Sequence, residues 1–577
     1  MTSVLNKINT KVQTYLCICL IGIVFAFNYG KIFDYKPDLN GDNVYYYALG
    51  KALAEGKGYT NIMGFEESPH THFPPGYPLF TATVLSVFHS YVSLKMANGV
   101  LFFFAILFLF LFIRKISDSI LLALGTCLLC CMQPELLRYS TIVMSEMLFT
   151  CLSIAALYLL SLVHTDNLFG GERPKSQILL FILLIVCLNY IYFVRTMGAS
   201  IILAFMIYFT IICIQRAITY IREKRQDENP YLTKTNKRRV ISNVLILLIL
   251  VGSFSCSKIG WDIRNRSHGV VHSDYLNDFR KKPKGEQMTT FSDWATRIQN
   301  NITSYSVKWI PSAIWPFDYD RQTTNSMGWI RGFCVIALII FGLSRLKKYR
   351  LLLSLYLGIT MAVLLFWPEQ YAGHRYMIGI IPLLIFLFLN GCISFVAYLL
   401  SSYPNFKYKY REFIPTGALV LFIVFFMFPK YSQALETQRK LATFKVWNER
   451  IAPEAFIEYV YAIQWCKKNL PEEARIACRK PELFYLFSSG RKAVSFPQYG
   501  KPEVIFNNFK KEGITHVIID RWFRHGYVTI YPLAAKYYPE YFRPIVQFGK
   551  NTDKQLPTLL FEFQPEGVAP VDENAQK

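Results

Sequence analysis

Long apolar runs are the feature that most constrains this chain. Residues 96–113, 240–256 and 376–399 are almost wholly apolar, and each approaches or exceeds the roughly 20 residues that a membrane-spanning helix needs. Only 18% of the 577 residues are charged, whereas a soluble protein carries about 25%. The sequence therefore predicts an α-helical polytopic membrane protein.

The apolar pattern predicts about eleven transmembrane helices, the first of them uncleaved. A further apolar stretch at 77–91 is short and follows a double proline, so we expect an interfacial or re-entrant helix there. The predicted spans are 13–30, 96–113, 119–133, 142–163, 178–193, 197–213, 240–259, 329–344, 351–367, 376–399 and 413–430.

The distribution of positive charge predicts the orientation. The net charge is +23, and the loop 214–239 alone holds eight Lys and Arg residues. Basic loops remain on the cytoplasmic side of a membrane, so most of the charge is explained by topology and we expect no nucleic-acid partner. The pattern predicts a plasma (inner) membrane protein with a cytoplasmic amino terminus. Residues 31–95, 260–328 and 431–577 would then be extracytoplasmic.

The tail at 431–577 has a different pattern from the rest of the chain. Short apolar, β-branched segments alternate with helical segments, which is typical of a small α/β domain. We therefore divide the chain into a transmembrane catalytic domain, 1–430, and a soluble domain, 431–577. Strands are expected within 474–479, 492–496, 515–520, 544–549 and 558–563.

The first predicted external loop carries two candidate catalytic acids, Asp38 and Asp42. Asp42 precedes a helical pattern at 44–55 that ends at Gly56. An Asp at this place serves equally well as a helix N-cap, and the two roles are compatible. A carboxylate ionised at pH 7 can accept a proton from an attacking hydroxyl group. Asp42 is the preferred base and Asp38 the alternative.

Several motifs follow one another in a recognisable order over most of 30–400. The first loop contains DLNGDNVYYYALG, LAEGKGY and FPPGYP, and RYSTIVMSEMLF, YFVRTMG, WDIRNR and GHRYMIGIIPLL come later. This order resembles the GT-C superfamily of membrane glycosyltransferases, and within it the group of protein O-mannosyltransferases and aminoarabinose transferases. One departure is Asn43, where the family commonly has a second acid after the first.

The resemblance implies an inverting glycosyltransferase that moves a sugar from a polyprenyl-phosphate donor, of undecaprenyl or dolichyl type, to an extracytoplasmic protein, lipid or glycan. Cations at the membrane edge would stabilise the phosphate charge, although lipid headgroups would explain any single arginine. No metal ligand is assigned and no cofactor is required, although a divalent ion is compatible with the family. The implied donor-phosphate residues are Arg195, Arg264, Arg375, His374 and His72, and the implied sugar or acceptor contacts are Glu146, Tyr46 and Tyr59.

Two other functions are compatible with a polytopic chain. A polysaccharide polymerase or ligase would use arginines of the loop 260–328 and would not depend on Asp42. A transporter or flippase would place ionisable residues near the bilayer centre and would show repeated halves. The sequence has neither of these last features, so a transporter is the less favoured alternative.

Overall fold

The structure, a computed structural model, contains two compact units. The first comprises 1–33, 71–77 and 95–442, and the second comprises 34–70, 78–94 and 443–577. The residues described are 2–39, 41–169, 175–225, 230–270, 279–280, 290–317, 324–401, 408–497, 500–522, 526–550 and 556–566.

Eight helices among the described residues are long and apolar enough to cross a membrane, which confirms the predicted polytopic architecture. They lie within Lys11–Ile32, Tyr91–Ser117, Lys175–Val194, Thr196–Arg225, Lys234–Ser267, Ser326–Ser344, Ile381–Ser401 and Gly417–Ala442.

The other three predicted spans correspond to shorter or bent elements. Helices Glu146–Leu162 and Arg350–Phe366 each have 17 residues, which is about 25 Å of helix and the lower limit for a bilayer. The third is a pair of helices, Ile120–Cys130 and Pro134–Ser140, bent by 63°. The total of eleven spans therefore stays a prediction. Helix Gly76–Phe88 has 13 residues, and its interfacial or re-entrant position stays a prediction.

A helix in the loop before the span Ser326–Ser344 turns its polar side inward. Helix Phe291–Ser304 begins with a capping box formed by Thr290 and Asp293. Arg297 and Asn301 are buried, and the Asn301 amide donates hydrogen bonds to the carbonyls of Leu365 and Trp367 at 2.9 and 2.8 Å. Phe291, by contrast, is 87% exposed. Asn301 opens an N-x-T sequon, and its burial removes it from the accessible surface.

The second unit contains a five-stranded mixed sheet, which confirms the predicted α/β region. The strands are β3 (Ile476–Cys478), β4 (Ala493–Ser495), β5 (His516–Ile519), β6 (Phe542–Phe548) and β7 (Thr558–Phe563), and β1 (Thr60–Asn61) pairs with β2 (Ser68–Pro69) separately. The order is β4-β3-β5-β7-β6, with β3 parallel to β4 and β5, and β7 antiparallel to both of its neighbours. All five expected strands are present.

The first loop contributes a helix to the core of this unit. Helix Gly41–Ala54 packs Val44, Ala48 and Ala52, spaced four residues apart on one face, into the apolar cluster of helix Glu454–Asn469 and the sheet. Residues 34–70 thus fold with the tail. The predicted domain boundary at residue 430 stays a prediction.

Candidate functional site

One charged cluster of the first unit is a buried carboxylate bound by two arginines. Glu146 is the first residue of helix Glu146–Leu162. Arg195 has an extended backbone between helix Lys175–Val194 and the 3-10 turn Thr196–Gly198. Arg375 belongs to the short helix His374–Met377. Three separate interruptions of the helix bundle therefore meet at one point.

The turn after Arg195 depends on a glycine. A Cβ atom at Gly198 would lie 2.8 Å from the Ile191 carbonyl carbon and oxygen, which is closer than any side chain can approach. The chain can therefore fold back at this position, and Arg195 leaves the helix as an extended residue. The sequence YFVRTMG contains this break as well as the charge.

The geometry of the cluster is that of two strong ion pairs to one oxygen. Arg195 Nη1 lies 2.7 Å and Arg375 Nε 2.8 Å from Glu146 Oε1. Arg195 also donates to Ser145 Oγ at 3.1 Å, and the Tyr376 ring centroid lies 5.9 Å from both guanidinium carbons. Glu146 is 1% exposed. One carboxylate and two guanidinium groups carry one net positive charge, which suits a neighbouring anion.

His374 lies in a different environment from its neighbour Arg375. Its Nε2 atom is 2.8 Å from Ser312 Oγ and 3.1 Å from the Trp309 carbonyl oxygen, and its Nδ1 atom is 3.8 Å from Glu135 Oε1. Burial lowers the pKa of His374, and the Glu135 carboxylate offsets only part of this effect. His374 is therefore neutral at pH 7. Its predicted phosphate-binding role stays a prediction.

Two further predicted phosphate ligands contact residues close to them in sequence. Arg264 is in the last turn of helix Pro230–Ser267, donates to Asn265 Oδ1 at 2.9 Å and lies over the Trp261 ring. His72 contacts the Phe73 ring, with centroids 4.7 Å apart. In the described part of the chain, the ion pairs of Glu146 are made by Arg195 and Arg375, not by these two residues.

The two candidate bases lie in the second unit and differ in environment. Asp42 is half-buried in the first turn of helix Gly41–Ala54, where the helix dipole favours a negative charge. Asp38 is buried, and the Tyr91 hydroxyl donates to its Oδ2 atom at 2.8 Å. The Glu482 side chain lies close to the start of this helix: a Cβ atom at Gly41 would be 2.6 Å from Glu482 Oε1.

The aromatic candidates are held within the same unit. Tyr46 is buried, and its carbonyl oxygen accepts a hydrogen bond from Thr81 Oγ1 at 3.2 Å. Tyr59 is half-buried against His70, with ring centroids 5.4 Å apart. The His70 Nδ1 atom is 2.7 Å from Asn61 Oδ1, which ties the histidine to the β1–β2 hairpin.

Ser145, Glu135 and Ser312 were not predicted from the sequence. Ser145 contacts Arg195, and both Glu135 and Ser312 contact His374. Glu135 stands in Gln133-Pro134-Glu135, where Gln133 caps the helix Pro134–Ser140 and Pro134 opens it. That pattern is a recognisable helix start. Ser145 likewise holds the N-cap position of helix Glu146–Leu162, whereas Ser312 carries no comparable local signal. Among the residues described, no group of three or more His, Cys, Asp and Glu side chains has the arrangement of a metal site.

Together, the apolar bundle and the mixed sheet define an α-helical polytopic membrane protein with the predicted GT-C-like fold. No protein-family model and no curated protein sequence matches the chain. Solved structures with a similar fold confirm the predicted GT-C-like fold.

An oligosaccharyltransferase from Archaeoglobus fulgidus, tethered to an acceptor peptide, matches with a TM-score of 0.52 and 12% identity over 95% of this chain and 74% of its own. The archaeal oligosaccharyltransferase AglB from the same organism, in complex with an inhibitory peptide and a dolichol-phosphate, matches with a TM-score of 0.51 and 12% identity over 95% and 75%. ArnT from Cupriavidus metallidurans, bound to undecaprenyl phosphate, matches with a TM-score of 0.52 and 11% identity over 95% and 97%. At these identities the likeness is one of fold.

Proposed function

We propose that this protein is an integral-membrane glycosyltransferase that moves a sugar from a polyprenyl-phosphate donor to an extracytoplasmic acceptor. The observation that carries the proposal is the likeness in fold over 95% of the chain to structures that contain a dolichol-phosphate or undecaprenyl phosphate. The second support is the buried, net positive cluster of Glu146, Arg195 and Arg375. A sugar phosphate diester gains negative charge as its glycosidic bond breaks, so a preorganised cation cluster stabilises the transition state.

Arg195 and Arg375 are assigned to the donor phosphate. Both are held by Glu146 at distances below 3 Å, so little reorganisation is needed when an anion arrives. Arg375 is the more exposed of the two, with 29% of its side chain accessible against 13% for Arg195. Glu146 is therefore a positioning residue for the arginines in this proposal rather than a group that touches the sugar.

Asp42 is assigned as the base. Its carboxylate takes the proton of the acceptor hydroxyl, the oxygen forms a bond to the anomeric carbon, and the bond from that carbon to the phosphate oxygen breaks. The products are the glycoside of inverted configuration, polyprenyl phosphate and a protonated Asp42. Asp38 is the weaker choice because it is buried and accepts a hydrogen bond from Tyr91.

The acceptor class is left open among protein, lipid and glycan. The proposal keeps the predicted orientation, with a cytoplasmic amino terminus and an extracytoplasmic tail, since the loop 214–239 remains the most basic segment. It assigns no metal ion to the reaction.

The test is donor turnover in proteoliposomes. Wild type, Asp42→Asn, Asp38→Asn and the control Asp118→Asn, whose carboxylate is 81% exposed, receive a panel of polyprenyl-phosphate sugars with an envelope extract as acceptor. Released polyprenyl phosphate is measured. We expect Asp42→Asn alone to lose about 10²–10⁴-fold in rate, the range for a general base. Turnover that survives in both Asp42→Asn and Asp38→Asn would refute the mechanism and favour an arginine-based polymerase or ligase.

A further inference from the structure

A polar cavity separate from the Glu146 ion pairs lies in the first unit. It has a volume of about 630 Å³, within the range of about 300–1,000 Å³ typical of small-molecule sites. Its buried wall is polar, since Gln133, Ser312 and His374 are each at most 8% exposed. Lys430 and Lys440 also line it. Burying a polar side chain costs free energy unless it makes a hydrogen bond. The partners of these side chains therefore indicate what the wall is able to bind.

The hydrogen bonds of the wall determine the tautomer of His374. The Trp309 carbonyl oxygen can only accept, so Nε2 of the imidazole carries the hydrogen. Ser312 Oγ donates to the Lys308 carbonyl at 2.5 Å and therefore accepts from the same Nε2 atom. In the neutral ring, Nδ1 is consequently an acceptor.

Glu135 places a second acceptor beside Nδ1. Arg138 donates to Glu135 Oε2 at 2.8 Å, while Oε1 is 3.8 Å from His374 Nδ1. Two acceptors at this separation attract groups that carry hydrogens and disfavour a phosphate next to them. Pro134, Pro316 and Phe317 add apolar surface to the same cavity. Acceptors, amines and apolar patches together match a sugar ring, which presents hydroxyl groups at its edges and C–H groups on its faces.

We infer that this cavity binds one monosaccharide unit, whose hydroxyl groups donate to Glu135 Oε1 and His374 Nδ1. The inference deepens the proposed function and rests on it for the origin of the sugar, which is either the donor's sugar or a sugar of the acceptor glycan. The short helix His374–Met377 links this cavity to Arg375 and so to the arginine cluster.

Binding is tested first, without turnover. Saturation-transfer NMR on the purified full chain in nanodiscs uses methyl glycosides of mannose, glucose, galactose, N-acetylglucosamine and 4-aminoarabinose as probes. His374→Gln keeps a donor at the Nε2 position and loses the Nδ1 acceptor, whereas Glu135→Gln loses the charge. We expect both variants to weaken binding by about 10- to 100-fold, as for a hydrogen bond to a charged or buried partner. Asp118→Asn should bind like wild type.

Kinetics then distinguishes the two origins of the sugar. A rise in KM for the donor in Glu135→Gln and His374→Gln identifies the donor's sugar, and a rise in KM for the acceptor identifies an acceptor sugar. Failure of wild type to bind any probe, or unchanged binding in variants whose melting temperatures match wild type, overturns the inference. Wild type that binds glycosides through these residues but turns over no donor would uphold the cavity assignment and refute the proposed transferase.

Discussion

Replacing Glu146 by glutamine isolates the energetic role of the buried carboxylate. The change keeps the size of the side chain, so it creates no cavity, but it removes the negative charge from the group that Arg195 and Arg375 share at 2.7 and 2.8 Å. Glu146 is 1% exposed, and removing one member of a buried ion pair costs about 3–5 kcal/mol. The glutamine carbonyl still accepts one hydrogen bond, so we expect about 3 kcal/mol.

The assay is equilibrium unfolding in mixed micelles with increasing SDS, followed by tryptophan fluorescence. Asp262→Asn is the matched control, because its ion pair with Lys258 is 40–49% exposed and such pairs contribute at most about 1 kcal/mol. Combining Glu146→Gln with Arg375→Gln should recover part of the loss, with a coupling energy of about 1–3 kcal/mol. A loss no larger than that of Asp262→Asn, or a coupling energy below about 0.5 kcal/mol, would refute the argument.

Three other outcomes follow from the same contacts. Arg375→Met should destabilise the protein by about 1–3 kcal/mol, the coupling energy expected for its pair with Glu146, and should reduce polyprenyl-phosphate release by the folded protein about 10²–10³-fold, the cost of losing one preorganised donor; equal rates would remove it from the phosphate site. Tyr91→Phe should destabilise by about 1.5–3 kcal/mol through its lost bond to Asp38, measured by SDS unfolding, and should retain turnover. Burial lowers the pKa of His374, which faces Glu135 and Arg138. Below about pH 6.5 the unfolded chain binds a proton at this residue that the folded ring does not. The contribution of His374 to stability should therefore be present above about pH 6.5 and decline below it. That pH dependence should disappear in His374→Gln.

The parts of the fold that hydropathy determines locally could be predicted from sequence. A transmembrane helix must satisfy its backbone within itself, so each apolar run identified its own element. The predicted span 119–133 ended just before Pro134, which cannot continue a helix from the preceding turn, but the separate helix Pro134–Ser140 was not predicted. That span also joined helix Ile120–Cys130 to the residues of the bend between the two helices.

The candidate site was predictable as a set of residues but not as a geometry. Glu146 and Arg375 are 229 residues apart in sequence, and no local pattern indicates that one neutralises the other. Glu146 was therefore predicted to be a sugar contact and Arg375 a phosphate ligand, each independently of the other. Their ion pair suggests instead that the acid positions the arginines. His374 and Arg375 are adjacent, yet one faces Glu135 and the other Glu146, a difference that only the packing determines.

The helix that carries Asp42 shows how much a burial argument could have added. Val44, Ala48 and Ala52 form an apolar face within a loop that was expected to lie outside the membrane, and such a face needs a partner. In the structure that partner is the core shared with helix Glu454–Asn469. A Cβ atom at Gly41 would lie 2.6 Å from Glu482 Oε1, so a larger residue there would require the Glu482 side chain to move. Because the first turn of this helix contains Asp42, the orientation of the proposed base depends on the folding of the tail, and a chain that lacks the tail should lose turnover even with every candidate residue of 1–430 intact.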